Sequence, residues 1–127
     1  MQARPNTAEL AAAVREFLEI EIVPLLSDAR LKFRTLVAMN ALGMIEREIQ
    51  FEEGFLLEEH KALTVFLEMD ELTPASLEML KTSVLGLNAQ LAARIRAGDV
   101  PAGAFETLKR AAVNKLRVSS PAYLKRY

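Results

Sequence analysis

The 127-residue sequence predicts an all-α protein, a four- or five-helix up-down antiparallel bundle. Two observations lead to this prediction. Apolar residues recur at intervals of three and four along most of the chain, which is the period of an amphipathic helix. No segment between turn signals alternates apolar and polar side chains as a half-buried strand would. The short connections favour antiparallel neighbours within a single domain over residues 1–127.

The first helix is predicted from about Thr7 to Val23. Asn6 is suited to the N-cap, with Glu9 three residues later as its capping-box partner. Pro24 lacks a backbone donor and should end the helix. The expected buried stripe consists of Leu10, Val14, Phe17 and Leu18.

A second helix is predicted from Ala29 to Ile49, capped by Asp28. Its apolar residues cover much of the circumference, which predicts a central position. The following stretch, Gln50–Gly54, either breaks the helix or continues it with a kink, and we prefer a break because of the glycine. A third helix would then carry an apolar line of Phe55, Leu56, Leu63, Phe66 and Leu67.

The fourth helix gives the clearest periodic pattern in the sequence. Thr73 is predicted at its N-cap and Pro74 at its first helical position. Gly98 is predicted just beyond its end, at the position where helices commonly place glycine. The buried stripe is expected to be Leu77, Leu80, Val84, Leu87, Leu91 and Ile95.

Asp99 and Pro101 are expected to start a fifth helix. Residues 119–127 show no periodicity, so an irregular C-terminal tail is predicted, with the helix ending before Pro121. The expected buried stripe of the fifth helix is Phe105, Leu108, Ala112 and Leu116.

Composition excludes several kinds of chemistry. The absence of cysteine removes thiolate catalysis, thiolate zinc sites and iron–sulfur ligation. The only histidine is His60, so neither a di-iron carboxylate centre nor a two-histidine zinc site fits one chain. Glycine-rich nucleotide-binding motifs are absent as well. We therefore expect no catalytic residue, no metal and no cofactor.

Three polar residues lie on or beside predicted apolar stripes: Asn40, Asn88 and His60. Asparagine is a weak helix former, so Asn40 and Asn88 are expected to be buried and hydrogen-bonded, either fixing helix register or lining a small polar pocket. His60 is expected at the edge of an apolar stripe, with a general base, a metal ligand or a pH-sensitive interface as the less favoured roles.

Charge is distributed unevenly. Residues 46–71 hold nine acids against two bases, whereas residues 107–127 hold six bases and no acid. Such runs are usually solvated faces, but they are also suited to docking between an acidic and a basic surface. The candidate interaction residues are Glu52, Glu53, Glu58, Glu59, Lys109, Arg110, Lys115 and Arg117.

Six segments resemble a bacterial family of small helical domains of unknown function: Arg4–Leu10, Val14–Leu18, Val37–Leu42, Glu46–Glu48, Leu87–Asn88 and Arg94–Gly98. The resemblance covers nearly the whole chain. That family is often encoded beside or fused to aminoglycoside-phosphotransferase-like kinases, near acyl-CoA dehydrogenases. The resemblance implies such an enzyme as partner and supplies no catalytic residue.

We therefore expect a non-catalytic protein-interaction or accessory module. The alternative is a small-molecule-binding protein or weak enzyme with a polar pocket around Asn40 and Asn88. A two-fold homodimer is expected, in which acidic surface meets basic surface and sets the orientation while apolar contacts supply the affinity. The net charge of −1 and the lack of a signal or membrane segment predict a cytoplasmic protein that binds neither nucleic acid nor membrane.

Overall fold

The computed structural model describes residues 3–70 and 72–126, and these are helical with short connections and no strand. The prediction of an all-α protein is confirmed, whereas the up-down antiparallel arrangement stays a prediction. None of the helices described combines the length and apolar content needed to cross a membrane. The helices are α1 (Thr7–Phe17), α2 (Ala29–Phe66), α3 (Leu77–Arg96), α4 (Ala104–Ser119) and α5 (Pro121–Leu124).

The chain divides into two compact units. The N-terminal unit comprises Met1–Phe51 together with Val118–Tyr127, and so contains α1, the first part of α2, and α5. The central unit, Glu52–Arg117, contains the rest of α2, α3 and nearly all of α4. The expectation of a single domain stays a prediction.

The first helix begins as predicted and ends differently. Asn6 caps α1, its side-chain oxygen accepting the Glu9 backbone N–H at 2.8 Å. After Phe17 the chain continues as a π-helical turn, Leu18–Ile22, and a 3₁₀ turn, Val23–Leu25. Pro24 accounts for the change, because it donates no hydrogen bond and its ring restricts the preceding turn.

The predicted break between the second and third helices is wrong. Helix α2 runs through 38 residues from Ala29 to Phe66 without interruption. A single glycine in a helix costs only about 1 kcal/mol relative to alanine, and the residues around Gly54 tolerate helix. The apolar line predicted for the third helix therefore lies on the second half of α2.

The start of α3 was also predicted too early. Ser76, and not Thr73, is the N-cap, and its hydroxyl accepts the Met79 backbone N–H at 3.2 Å. Pro74 lies in the connection before the helix. The predicted end is confirmed: Gly98 follows the C-cap with a φ of 86°.

The central unit contains a hydrophobic core built on the stripe predicted for the fourth helix. Leucines of α3 pack there against Leu63 of α2. Buried in this core are Leu63, Leu80, Val84, Leu87 and Leu91, with Leu56, Leu67 and Ile95 packed against them.

Helix α4 buries a different face from the predicted one. Phe105 is 72% exposed, and Leu108 is exposed as well, whereas Ala104 and Asn114 are buried. The helix begins only at Ala104, directly after Gly103, whose φ is 83°. The buried face of α4 was predicted from its larger apolar side chains, whereas the face that is buried consists of small and polar residues.

The C-terminal segment is more regular than predicted. Helix α4 ends at Ser119, before Pro121 as expected, but Pro121–Leu124 then forms a short helix, so the prediction of an irregular tail is wrong there. Tyr127, and Glu71 of the acidic run, lie outside the described residues.

Candidate functional site

The predicted acidic and basic candidates meet inside the central unit. Glu58 forms an ion pair with Arg110. Glu59 lies 4.0 Å from the Lys115 ammonium, and Glu52 accepts from Lys81 at 3.0 Å. The charge complementarity seen in the sequence therefore joins α2 to α3 and α4 within one unit.

The remaining charged candidates are Glu53, Lys109 and Arg117, and they lie on the outer parts of α2 and α4. Glu53 and Lys109 are exposed on α2 and α4. Arg117 donates from Nη1 to Asn114 Oδ1 at 3.4 Å, and so belongs to the polar edge of α4. None of these contacts identifies a partner.

Two of the three polar candidates lie where a structural role would place them. Asn88 is half-buried and donates from Nδ2 to Glu59 Oε1 at 2.9 Å, so its amide links α3 to α2. His60 is only 3% exposed, so it is buried more deeply than the half-buried place expected for it at the edge of an apolar stripe. Among the described residues, no group of three or more His, Asp or Glu side chains could hold a metal ion.

A buried polar residue was missed by the sequence analysis. Asn114 of α4 is 6% exposed and lines a cavity of ≈ 50 Å³ together with Glu58, Glu59 and Arg110. The signal that would have found it is the spacing of small and polar residues on α4: Ala104, Thr107, Ala111 and Asn114.

The expected burial of Asn40 is wrong, because Asn40 is exposed on α2. It borders an open groove of the N-terminal unit, near Arg15, Glu46 and Arg47. The inward side of α2 is instead taken by residues such as Gly43, which is buried. Asn40 and Asn88 belong to different units, and the polar pocket proposed around them stays a prediction.

The charges of this groove are engaged with protein groups. Arg15 donates from Nε to Glu46 Oε2 at 2.6 Å and from Nη2 to Oε1 at 3.2 Å. This hydrogen bond lowers the pKa of Glu46 and raises that of Arg15. Arg47 donates from Nε to the Val118 carbonyl at 2.8 Å, which fastens the C-terminal segment to α2.

The most unusual surface of the N-terminal unit is apolar. Within the described part of residues 1–51, Ala11 has the one apolar side chain that is buried, and the only other buried residue there is Gly43. Thirteen large apolar side chains of the same stretch are exposed. They are Leu10, Val14, Phe17, Ile20, Leu25, Leu31, Phe33, Leu36, Val37, Met44, Ile45, Ile49 and Phe51.

Two sets of these side chains follow the helical period. On α1, Leu10, Val14 and Phe17 form the α1 stripe, and each is about half exposed, so the expectation that they are buried is wrong. On α2, Phe33, Val37 and Met44 form the α2 stripe, together with the polar Asn40. Exposed apolar surface of this kind is typical of protein–protein or membrane interaction sites and of ligand-binding grooves.

Comparison with known proteins identifies a family without a described activity. A family model described as a domain of unknown function (DUF6285) matches residues 24–123, which begin after α1. No curated protein and no solved structure matches the chain.

Proposed function

We propose that this chain, which belongs to the DUF6285 family, is a non-catalytic protein-interaction module that binds a partner protein on the α1 stripe. The observation that carries the proposal is the unequal burial in the N-terminal unit. Thirteen large apolar side chains of residues 3–51 are exposed, and the side chain of Ala11 is the one apolar side chain buried there.

The extent of the apolar surface supports a macromolecular partner. Thirteen large side chains that are about half exposed present on the order of 1,000 Å² of apolar area. A standard protein–protein interface buries about 800 Å² on each partner. The N-terminal unit therefore presents enough apolar area for macromolecular contacts, and the α1 stripe is one part of that area.

The charges beside the α1 stripe indicate what the partner surface should be. Glu16, Glu19 and Glu21 are all exposed in this part of the chain. The one base of the helix, Arg15, is held by Glu46. A partner that fits this surface has an apolar groove with a basic rim, since complementary charges speed encounter and set orientation.

The resemblance noted above supports an enzyme as this partner. It implies a phosphotransferase-like kinase or an acyl-CoA-metabolising enzyme. In this proposal the reaction belongs to the partner, and the helical chain contributes binding.

The test is a direct binding measurement between the purified full chain and purified kinases and acyl-CoA dehydrogenases from the same genome. Phe17→Ser should weaken binding of the true partner at least tenfold, because it removes an apolar contact from the α1 stripe. Phe105→Ser on α4 is the matched control: it makes the same change at an exposed phenylalanine and should leave the affinity unchanged.

Two results would contradict the proposal. Failure of the unmodified chain to bind any of these enzymes would remove the partner class. Equal weakening by Phe17→Ser and Phe105→Ser would show that the α1 stripe is not the binding surface. Circular dichroism of both variants confirms that each remains helical.

A further inference from the structure

The α2 stripe is a second exposed surface with its own geometry. Phe33, Val37, Asn40 and Met44 follow one another at intervals of four, three and four residues, so they lie along one face of α2. Phe33 is 67% exposed, and Val37 and Met44 are exposed as well. This spacing is the one with which two helices interlock along a shared apolar seam.

Asn40 determines which occupant suits this seam. Its amide lies between Val37 and Met44, so a partner that covered the stripe with apolar side chains alone would leave amide donors and acceptors without hydrogen bonds. An asparagine amide carries both donors and acceptors, and a second asparagine opposite it satisfies both sides. A single asparagine within an apolar helical seam is a known means of fixing register between two copies.

We propose that a second copy of this chain packs on the α2 stripe, antiparallel, with the two-fold axis passing beside Asn40. This goes beyond the proposed function, because it concerns a different helix and a different occupant. Each Asn40 then faces Asn40 of the other copy, Val37 packs beside Met44 of that copy, and Phe33 lies opposite Arg47, against the aliphatic part of its side chain.

The charges along α2 favour the antiparallel orientation. The first turns carry Arg30, Lys32 and Arg34 without an acid, while Glu48 follows beyond Asn40. Arg30 and Glu48 are eighteen residues apart, which is five helical turns, so both lie on the same edge of the stripe. A two-fold through Asn40 brings the basic start of one α2 beside Glu48 of the other, whereas a parallel pair would place the two basic starts side by side.

The size of the stripe sets the expected affinity. Phe33, Val37 and Met44, with the adjacent exposed Leu36, present roughly 300 Å² of apolar surface per copy. The two copies together would bury about 600 Å² of apolar surface, which is less than the roughly 1,000 Å² of a typical stable interface, so a weak dimer with a dissociation constant on the order of 10 µM is expected.

Cysteine cross-linking tests the position of the axis, because the natural chain contains no cysteine. Asn40→Cys should form a disulfide-linked dimer on mild oxidation, since the two positions face each other across the axis. Phe33→Cys should not link to its own copy. In the antiparallel pair the two Phe33 positions are fourteen residues apart along the seam, about 21 Å. Leu85→Cys, at an exposed site on α3, controls for random collision.

Light scattering on the full chain tests the dimer itself. The unmodified chain should be a dimer at about 50 µM. Phe33→Ser should raise the dimer dissociation constant by about tenfold or more, since two phenylalanines leave the seam. Phe105→Ser and Phe17→Ser should leave this constant unchanged, which separates dimerisation from partner binding on the α1 stripe.

Three outcomes would overturn the inference. One is a monomer at that concentration, and another is cross-linking of Leu85→Cys as fast as Asn40→Cys. The third is efficient self-linking of Phe33→Cys under conditions where light scattering shows that variant to be dimeric, because this would establish a parallel seam. None of these outcomes bears on capture of a partner enzyme through Phe17.

Discussion

The end of α2 contains a residue whose replacement should stabilise the protein. The chain leaves the helix through Glu68, whose φ is 53°. The Glu68 N–H donates to the Val65 carbonyl at 3.2 Å, and the Met69 N–H donates to the Thr64 carbonyl at 2.9 Å. These two bonds form a Schellman motif, in which the left-handed residue is usually glycine because a Cβ crowds the backbone there. Gly98 occupies the corresponding position after α3.

Glu68→Gly should raise the free energy of unfolding by about 0.5–1 kcal/mol. Removing the Cβ relieves roughly 1–2 kcal/mol of backbone strain, and the greater freedom of glycine in the unfolded chain takes back about 0.5–1 kcal/mol. The Glu68 side chain is exposed, so its loss should matter little.

Urea denaturation followed by circular dichroism measures the change, with two control variants. Glu68→Ala removes the carboxylate but keeps the Cβ, and should shift stability by no more than a few tenths of a kcal/mol. Gly98→Ala makes the reverse change at the end of α3 and should destabilise by about 1 kcal/mol. If Glu68→Gly is no more stable than Glu68→Ala, the reasoning from the left-handed conformation is refuted.

Two further predictions concern the core and the groove. Leu87→Ala should lower the free energy of unfolding in urea by about 2–5 kcal/mol, because Leu87 is 2% exposed. Leu85→Ala on the same helix, at a site 74% exposed, should change it by less than about 0.5 kcal/mol. Equal effects of the two substitutions would contradict the described core. The hydrogen bond from Arg15 lowers the pKa of Glu46 below its ordinary 4.5. The stabilisation from this pair is therefore complete above pH 4.5, the pKa in the unfolded chain, and is lost as pH falls through the lower pKa of Glu46 in the folded chain. Denaturation across that range should show a flatter acid-side slope for Glu46→Gln, and an unchanged slope would refute the linkage.

Apolar periodicity predicted the buried face of α3 but not those of α1 and α4, whose apolar stripes are largely exposed. On α3, Leu80, Leu87 and Leu91 are buried as expected. Where apolar residues cover most of a helix, periodicity does not identify the inward face, and Asn40 of α2 was consequently assigned to the interior although it is exposed. Helix ends depend on single hydrogen bonds, so the sequence pattern favoured Thr73 as a cap although Ser76 is the cap in the structure.

The candidate site was predictable in its charges but not in its location. The acidic and basic runs do attract each other, as the ion pair of Glu58 with Arg110 shows. Sequence could not reveal that this attraction is satisfied inside one unit, because that depends on which helices pack together and the charge runs do not specify this. Asn114 escaped notice for a related reason: the larger side chains of α4, Phe105 above all, dominate its pattern while lying outside.

The α1 stripe shows how far apolar area by itself can account for partner binding. Leu10, Val14 and Phe17 are each about half exposed and together present roughly 250 Å² of apolar surface. At about 25 cal/mol per Å², covering them would contribute about 6 kcal/mol. Association costs about 4–15 kcal/mol in lost freedom, so this stripe alone supports only weak binding. A specific complex therefore needs further apolar or hydrogen-bonded contacts beyond the stripe, whereas the acidic residues following α1 speed encounter with a basic rim and set the orientation.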